Sequence, residues 1–118
     1  MPRDRESLMD MLESIRILLG YVEGMTQQQF FADHQCQDAV IRRIEVLGEA
    51  ANRISDTVQS HYSHIPWREM RTMRNRVIHG YDTIDLAVVW QTVQLSIPEI
   101  VKPLEIVLND LNNDESCQ

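Results

Sequence analysis

Cysteine is nearly missing from this 118-residue chain, which holds only Cys36 and Cys117. Two cysteines so far apart build neither a disulfide framework nor a zinc site, which takes four ligands or three plus water. Only four Gly and four Pro occur, which excludes collagen-like and low-complexity chains. Long apolar runs are absent too. The longest, Leu86 to Trp90, is far too short to cross a bilayer. The opening residues, MPRDRESLMDMLES, lack the apolar stretch of a secretory signal. A reducing cytoplasm with no membrane partner is therefore the expected setting. Basic residues are in deficit, 11 Lys and Arg against 18 Asp and Glu, for a net charge of −7. An evenly acidic surface repels nucleic acid. What is present is an apolar fraction of 43% with 25% charged residues, enough for one globular domain with its own core.

The charge is not evenly spread. Four of the eleven basic residues, Arg68, Arg71, Arg74 and Arg76, fall within nine positions. His61, His64 and His79 flank them, and between Val58 and Tyr81 the only acid is Glu69. This is a positive island in an acidic chain.

Apolar residues recur at steps of three and four, the period of an amphipathic helix. Leu8, Leu12, Ile15, Leu19 and Val22, widened by Met11 and Leu18, predict a helix over Arg3 to Glu23, stopped by Gly24. A short helix or turn follows over Thr26 to Asp33. Val40, Ile44, Leu47, Ala51, Ile54 and Val58 predict a second long helix from Asp33 to Val58, then a polar connection from Ser60 to Ile65. Pro66 suits the first turn of a third helix reaching His79, with Gly80 as its stop. Asp82 or Thr83 is expected to cap a fourth helix with Leu86, Val89, Trp90 and Val93 inward. Ser96 and Glu99 have the capping-box spacing that ends it near Leu95 and starts a fifth. Pro103 interrupts that fifth helix, although Ile100, Leu104, Val107 and Leu111 keep its stripe. Residues 112–118 read as a disordered polar tail behind a single domain over 1–111. No strand alternation or repeat is present. The expected fold is all-α, an antiparallel bundle of four to five helices.

On a regular third helix, advancing roughly 100° per residue, Trp67, Met70, Met73, Val77 and Ile78 form the core face. Arg74 lands inside that apolar sector. A buried arginine needs a partner, so Arg74 either snorkels past Trp67 and Ile78 or pairs with a neighbouring helix through Glu45 or Glu49, or else it serves as an anion-binding group in a cleft. His79 reads either as a helix C-terminal cap or as an acid–base group, since imidazole titrates near neutrality. Asn75 shares its face and is placed to hold its ring.

Arg74 to Tyr81 reads R-N-x-x-x-H-x-Y, which resembles the motif of the HEPN ribonucleases. The trailing Tyr81 is similar to the HepT branch, the toxin half of HepT–MntA toxin–antitoxin pairs. The run Ile41 to Ala51, with its Gly48-Glu49-Ala50, resembles that family's second helix, and Ile65-Pro66-Trp67 and Asp85 to Trp90 resemble further family segments. The resemblance extends to about residue 111. It implies a dimeric all-α domain that cuts RNA with neither metal nor cofactor. By position, Arg74 and His79 become the catalytic pair, Asn75 a supporting group and Tyr81 the target of AMP transfer by an MntA-like minimal nucleotidyltransferase antitoxin. Arg68, Arg71 and Arg76 would meet the RNA backbone, with transfer RNA a plausible substrate. Two other readings stay open: a non-catalytic HEPN binding module that partners a nucleotidyltransferase, and a structural or oligomerising bundle whose arginines are only solvated.

Overall fold

The computed structural model describes residues 2–79 and 83–116. Its architecture is all-α, carried by three long helices: α1 (Pro2–Val22), α3 (His34–Asn52) and α8 (Ile97–Ser116). The short helices α2 (Gln27–Phe31), α4 (Asp56–His61), α5 (Trp67–Arg71), α6 (Met73–Val77) and α7 (Leu86–Gln91) complete it, with a minimal strand pair between α6 and α7. Gly24 adopts φ 72°, a left-handed backbone that stops the chain from prolonging α1. Thr26 closes a capping box with Gln29 at the start of α2.

Helices α1 and α3 run antiparallel. Asp4 meets Ser55 at one end, Ser14 bonds the Arg43 carbonyl midway, and Cys36 reaches the Tyr21 carbonyl at the other. Leu8, Met11, Ile15, Leu18 and Val22 of α1 are buried against Val40, Ile44, Leu47 and Ala51 of α3. The buried stripe of α1 is thus rotated from the expected one, and Leu12 and Leu19 are only partly buried. Helix α8 lies on the other side of α1, where Arg5 bonds Asn112 and Val101 and Leu108 line a groove with Leu12 and Leu19. Buried Gln37 gives its amide to the carbonyls of Phe30 and Phe31, which fixes α2 on α3. Phe30 in turn stacks on Trp90 of α7, with centroids 5.3 Å apart.

The second helix is not continuous to Val58. It ends at Asn52, and Ser55 caps a separate α4 by accepting from the Val58 amide. The break is held from outside. Asp4, only 1% exposed, accepts from the Ser55 amide and hydroxyl, both at 2.7 Å. A buried carboxylate satisfied by an interrupted backbone rewards the interruption.

The third helix also divides. Thr72, with φ −105° and ψ 7°, leaves the helical range and is the C-cap of α5; its amide and hydroxyl both bond the Arg68 carbonyl, at 3.0 and 2.9 Å. Pro66 is the N-cap rather than a first-turn residue. Helix α6 stops at Val77, whose carbonyl accepts from the Asp85 amide at 2.9 Å. Beyond it, Ile78–His79 (β1) pairs antiparallel with Thr83–Ile84 (β2), His79 opposite Thr83. Three of the four strand residues, Ile78, Thr83 and Ile84, are β-branched, which favours extended backbone here. The cap of α7 is Asp85, accepting from Val88, and not Thr83, which is in β2; Asp82 and Gly80 lie outside the described residues.

No stop separates the fourth and fifth helices. A π-helical turn over Thr92–Ser96 joins α7 to α8. Pro98 cannot donate to the carbonyl four residues back. That residue is Gln94, inside the π turn, where bonding has already widened by one residue. The rod absorbs Pro98 and Pro103 and runs on through residues 112–116, the expected tail, to Ser116; Cys117 lies outside the described residues. Among the described residues, no helix is long and apolar enough to cross a membrane.

Replacing Asp4 by Ala leaves the Ser55 amide unpaired at the α3–α4 break. The expected loss is about 1–3 kcal/mol, read as a lower urea midpoint with an unchanged slope.

Candidate functional site

The arginine island occupies α5 and α6, which both pack on α3. Their apolar side is buried through Trp67, Met70, Met73 and Val77. Trp67 also donates its indole N–H to the Tyr62 carbonyl at 3.1 Å. This half of the sequence-derived wheel holds despite the break at Thr72.

Close packing against α3 depends on Gly48. A methyl group there would lie 3.2 Å from the Met70 carbonyl oxygen and 3.3 Å from that of Arg71. The missing side chain lets two backbones approach. Gly48 has no titratable group and was not among the expected site residues. Its signal was a glycine in the interior of an otherwise regular helix, where propensity disfavours it.

One turn earlier on α3, Glu45 faces Arg74, with its Oε2 3.6 Å from Arg74 Nε. Of the two carboxylates considered, Glu45 is the partner; Glu49 pairs with Arg42 at 3.9 Å. Arg74 is not submerged in the core. Its side chain is 52% exposed and that of Glu45 30% exposed. It stands beyond the break at Thr72, on α6 rather than on a continuation of α5. Arg74 is therefore both held and accessible.

Asn75 and Arg76 are exposed on α6 beside Arg74. His79 follows on β1, past the end of α6. The expectation that Asn75 and His79 share one helical face does not apply, because the helix has ended. For the same reason, no single helix fixes the angle between Arg74 on α6 and His79 on β1. Tyr81 lies outside the described residues.

Arg68 and Arg71 form a second group, on α5. Arg71 Nη1 donates to Gln59 Oε1 of α4 at 2.7 Å. Both arginines line an open cleft of about 840 Å³ between α4 and α5, which does not include Arg74 or Arg76. The island thus has two parts, facing α3 and α4 respectively. Among the described residues no three His, Cys, Asp or Glu side chains converge as metal ligands. Burial, and then Asp33, push the Cys36 thiol above its ordinary pKa.

Comparison with known proteins covers the same elements. Residues 11–107 match a family described as "Ribonuclease HepT-like". "Probable ribonuclease HepT" of Thermococcus cleftensis is 35% identical over 96 residues, 81% of this chain and 87% of that protein. "Putative RNase MJ1216" of Methanocaldococcus jannaschii is 33% identical over 108 residues, 92% of this chain and 89% of the relative. A longer protein of that organism, "Gamma-glutamylcyclotransferase and putative RNase MJ0434", is 35% identical over 89% of this chain, which spans 47% of its length. No solved structure matches significantly.

Gly48→Val sets a β-branched side chain against the α5 backbone. Overpacking of this kind costs about 1–3 kcal/mol. Gly48→Ala is expected to be milder, because a helix gains roughly 0.5–1 kcal/mol on replacing Gly by Ala. Thermal melts of the two variants check the order: Val well below wild type, with Ala between.

Proposed function

The chain belongs to the HepT-like ribonuclease family, and on that premise we propose that it is a metal-independent endoribonuclease acting as the toxin of a toxin–antitoxin pair. The observation that carries this reading is Arg74: a motif arginine held by Glu45 yet half exposed, with His79 following on β1.

RNA supplies its own nucleophile, the ribose 2′-hydroxyl. In the proposed reaction its oxygen attacks the neighbouring phosphorus, the bond to the 5′-oxygen breaks, and a 2′,3′-cyclic phosphate and a 5′-hydroxyl end form. His79 moves the proton, as base at the 2′-hydroxyl or acid at the leaving oxygen. Arg74 has the donor fork that grips phosphate and offsets charge growing on its oxygens. Asn75, next in sequence and exposed, supports the phosphate or the ring. Arg68, Arg71 and Arg76 are proposed to meet the strand backbone and overcome the general repulsion of a −7 chain.

A homodimer that sets two islands across one HEPN-type cleft doubles the local field and lets Arg74 and His79 act across the axis. The antitoxin is proposed to be an MntA-like nucleotidyltransferase. It joins the Tyr81 phenolic oxygen to the α-phosphorus of ATP and releases pyrophosphate. The added phosphodiester is negative and the adenosine bulky, so both repel or block RNA beside Arg74.

Incubation of total RNA with the unmodified chain in EDTA tests the chemistry. Wild type is expected to release fragments with cyclic or hydrolysed phosphate ends. His79→Ala should be slower by about 10²–10⁴-fold, and Arg74→Ala by about 10²–10³-fold. Fragments ending uniformly in a 3′-hydroxyl rule the mechanism out, and equal cellular toxicity of His79→Ala points to a binding module. Tyr81→Phe should stay active when the nucleotidyltransferase and ATP are added, whereas wild type is silenced with a mass gain of AMP.

A further inference from the structure

We propose that the cleft between α4 and α5 is a ribonucleotide subsite for the RNA strand, separate from the place where Arg74 meets phosphate. The inference rests on the RNA reading above and adds a second point of attachment to it.

Arg71 is the key group. Each described ion pair, including Arg74 with Glu45, sets an arginine against a carboxylate. Arg71 is different: its brace is the neutral amide of Gln59, at 2.7 Å. Among the described residues neither Arg71 nor Arg68 has a carboxylate within ion-pairing distance. Gln59 is itself fixed, its Nε2 donating to the Ile54 carbonyl at 2.9 Å. The assignment of its oxygen toward Arg71 follows, because a donor at that end would face another donor. Arg71 is half buried, fixed in direction and left with its full charge. That combination lowers the ordering cost of gripping an anion.

The rest of the lining selects among anions. Ser63 and His64 border the same space and offer small donors and acceptors. Asp56 and Glu69 also line it, which disfavours a bare polyanion. A ribonucleotide needs both kinds of group: guanidinium for its phosphate, acceptors for the 2′-hydroxyl and base amino groups. Buried Trp67 and Ile65 form apolar parts of the wall. The cleft is shallow and broad, about 840 Å³. The open form suits a unit still joined to a strand on both sides.

The test is binding of a short single-stranded 2′-O-methyl RNA to the full chain, read by fluorescence anisotropy across salt concentrations. This RNA lacks the nucleophile, so binding is separated from cleavage. Arg71→Gln should weaken binding roughly tenfold and flatten the salt slope by about 0.7. Gln59→Leu should weaken it about three- to tenfold with no change of charge. Gln59→Glu keeps the acceptor but neutralises Arg71, and should weaken binding at least as much. Arg16→Gln, on α1 away from the cleft, is the control for a lost charge and should change affinity less than about twofold. Thermal melts establish that each variant is folded.

Losses at Arg71 and Gln59 no larger than at Arg16 overturn the subsite, whether or not the chain cleaves RNA. If cleavage fails while these losses appear, the subsite stands and the catalytic reading falls. A 5′-mononucleotide at millimolar concentration should not displace the oligonucleotide. Displacement at an affinity matching the strand's reassigns the cleft to a free nucleotide and overturns the strand assignment.

Discussion

At Gly48, the backbone of α3 comes so near α5 that an added methyl group would sit 3.2 Å from the Met70 carbonyl oxygen. A larger side chain would push α5 away, and α6 with it. One turn back on α3 is Glu45, which meets Arg74 of α6 at 3.6 Å. The next residue after Gly48, Glu49, is engaged elsewhere with Arg42. Thus an uncharged position with no chemistry of its own sets where the motif arginine stands. The apolar side of α5 and α6, Trp67, Met70, Met73 and Val77, supplies the burial that keeps the two backbones together.

Electrostatics then act at two places rather than one. The acid excess of the chain disfavours RNA everywhere except at the island, so selection of a contact must be local. Within the island, the braces differ in kind. A carboxylate holds Arg74 and part-neutralises it, whereas an amide holds Arg71 and does not. The segmentation at Thr72 makes that difference available: a single straight helix would have carried all four arginines on one rigid spiral. The break at Thr72 therefore shapes the charge pattern as well as the backbone.

The long elements were legible because burial leaves a period in the sequence. Val40, Ile44, Leu47 and Ala51 read as a stripe and are a stripe, and so are Ile100, Leu104 and Val107. The all-α class follows from them. The interruptions were not legible, since Ser55 and Thr72 are ordinary residues inside helices until a distant Asp4 or a crowded carbonyl uses them. Ser96 shows the reverse error: its capping-box spacing is real, but Pro98 is carried by a π turn and the helix never stops. In the site, the wheel was right about Trp67 and Met70 and set Arg74 in the apolar sector, whereas the side chain reaches out to be half exposed and meets Glu45, one of the two carboxylates named for it. It narrowed the partner to Glu45 or Glu49, and the structure pairs Arg74 with Glu45 and Arg42 with Glu49. The strand pair that takes His79 off the helix has just two residues on each side, too short for any alternation to show.

The strength of the Arg74–Glu45 contact bears on whether it restrains or prepares the arginine. At 3.6 Å, with Arg74 52% exposed, it belongs with surface ion pairs, which are worth about 0–1 kcal/mol. A phosphate oxygen with bidentate geometry offers Arg74 more than that. Exchange of Glu45 for phosphate is therefore close to neutral or favourable. On the proposed reading, Glu45 keeps the guanidinium near its working position in the absence of RNA without holding it there against RNA. A shorter, buried pair in the same place would be far harder to break, and would turn a prepared arginine into a locked one.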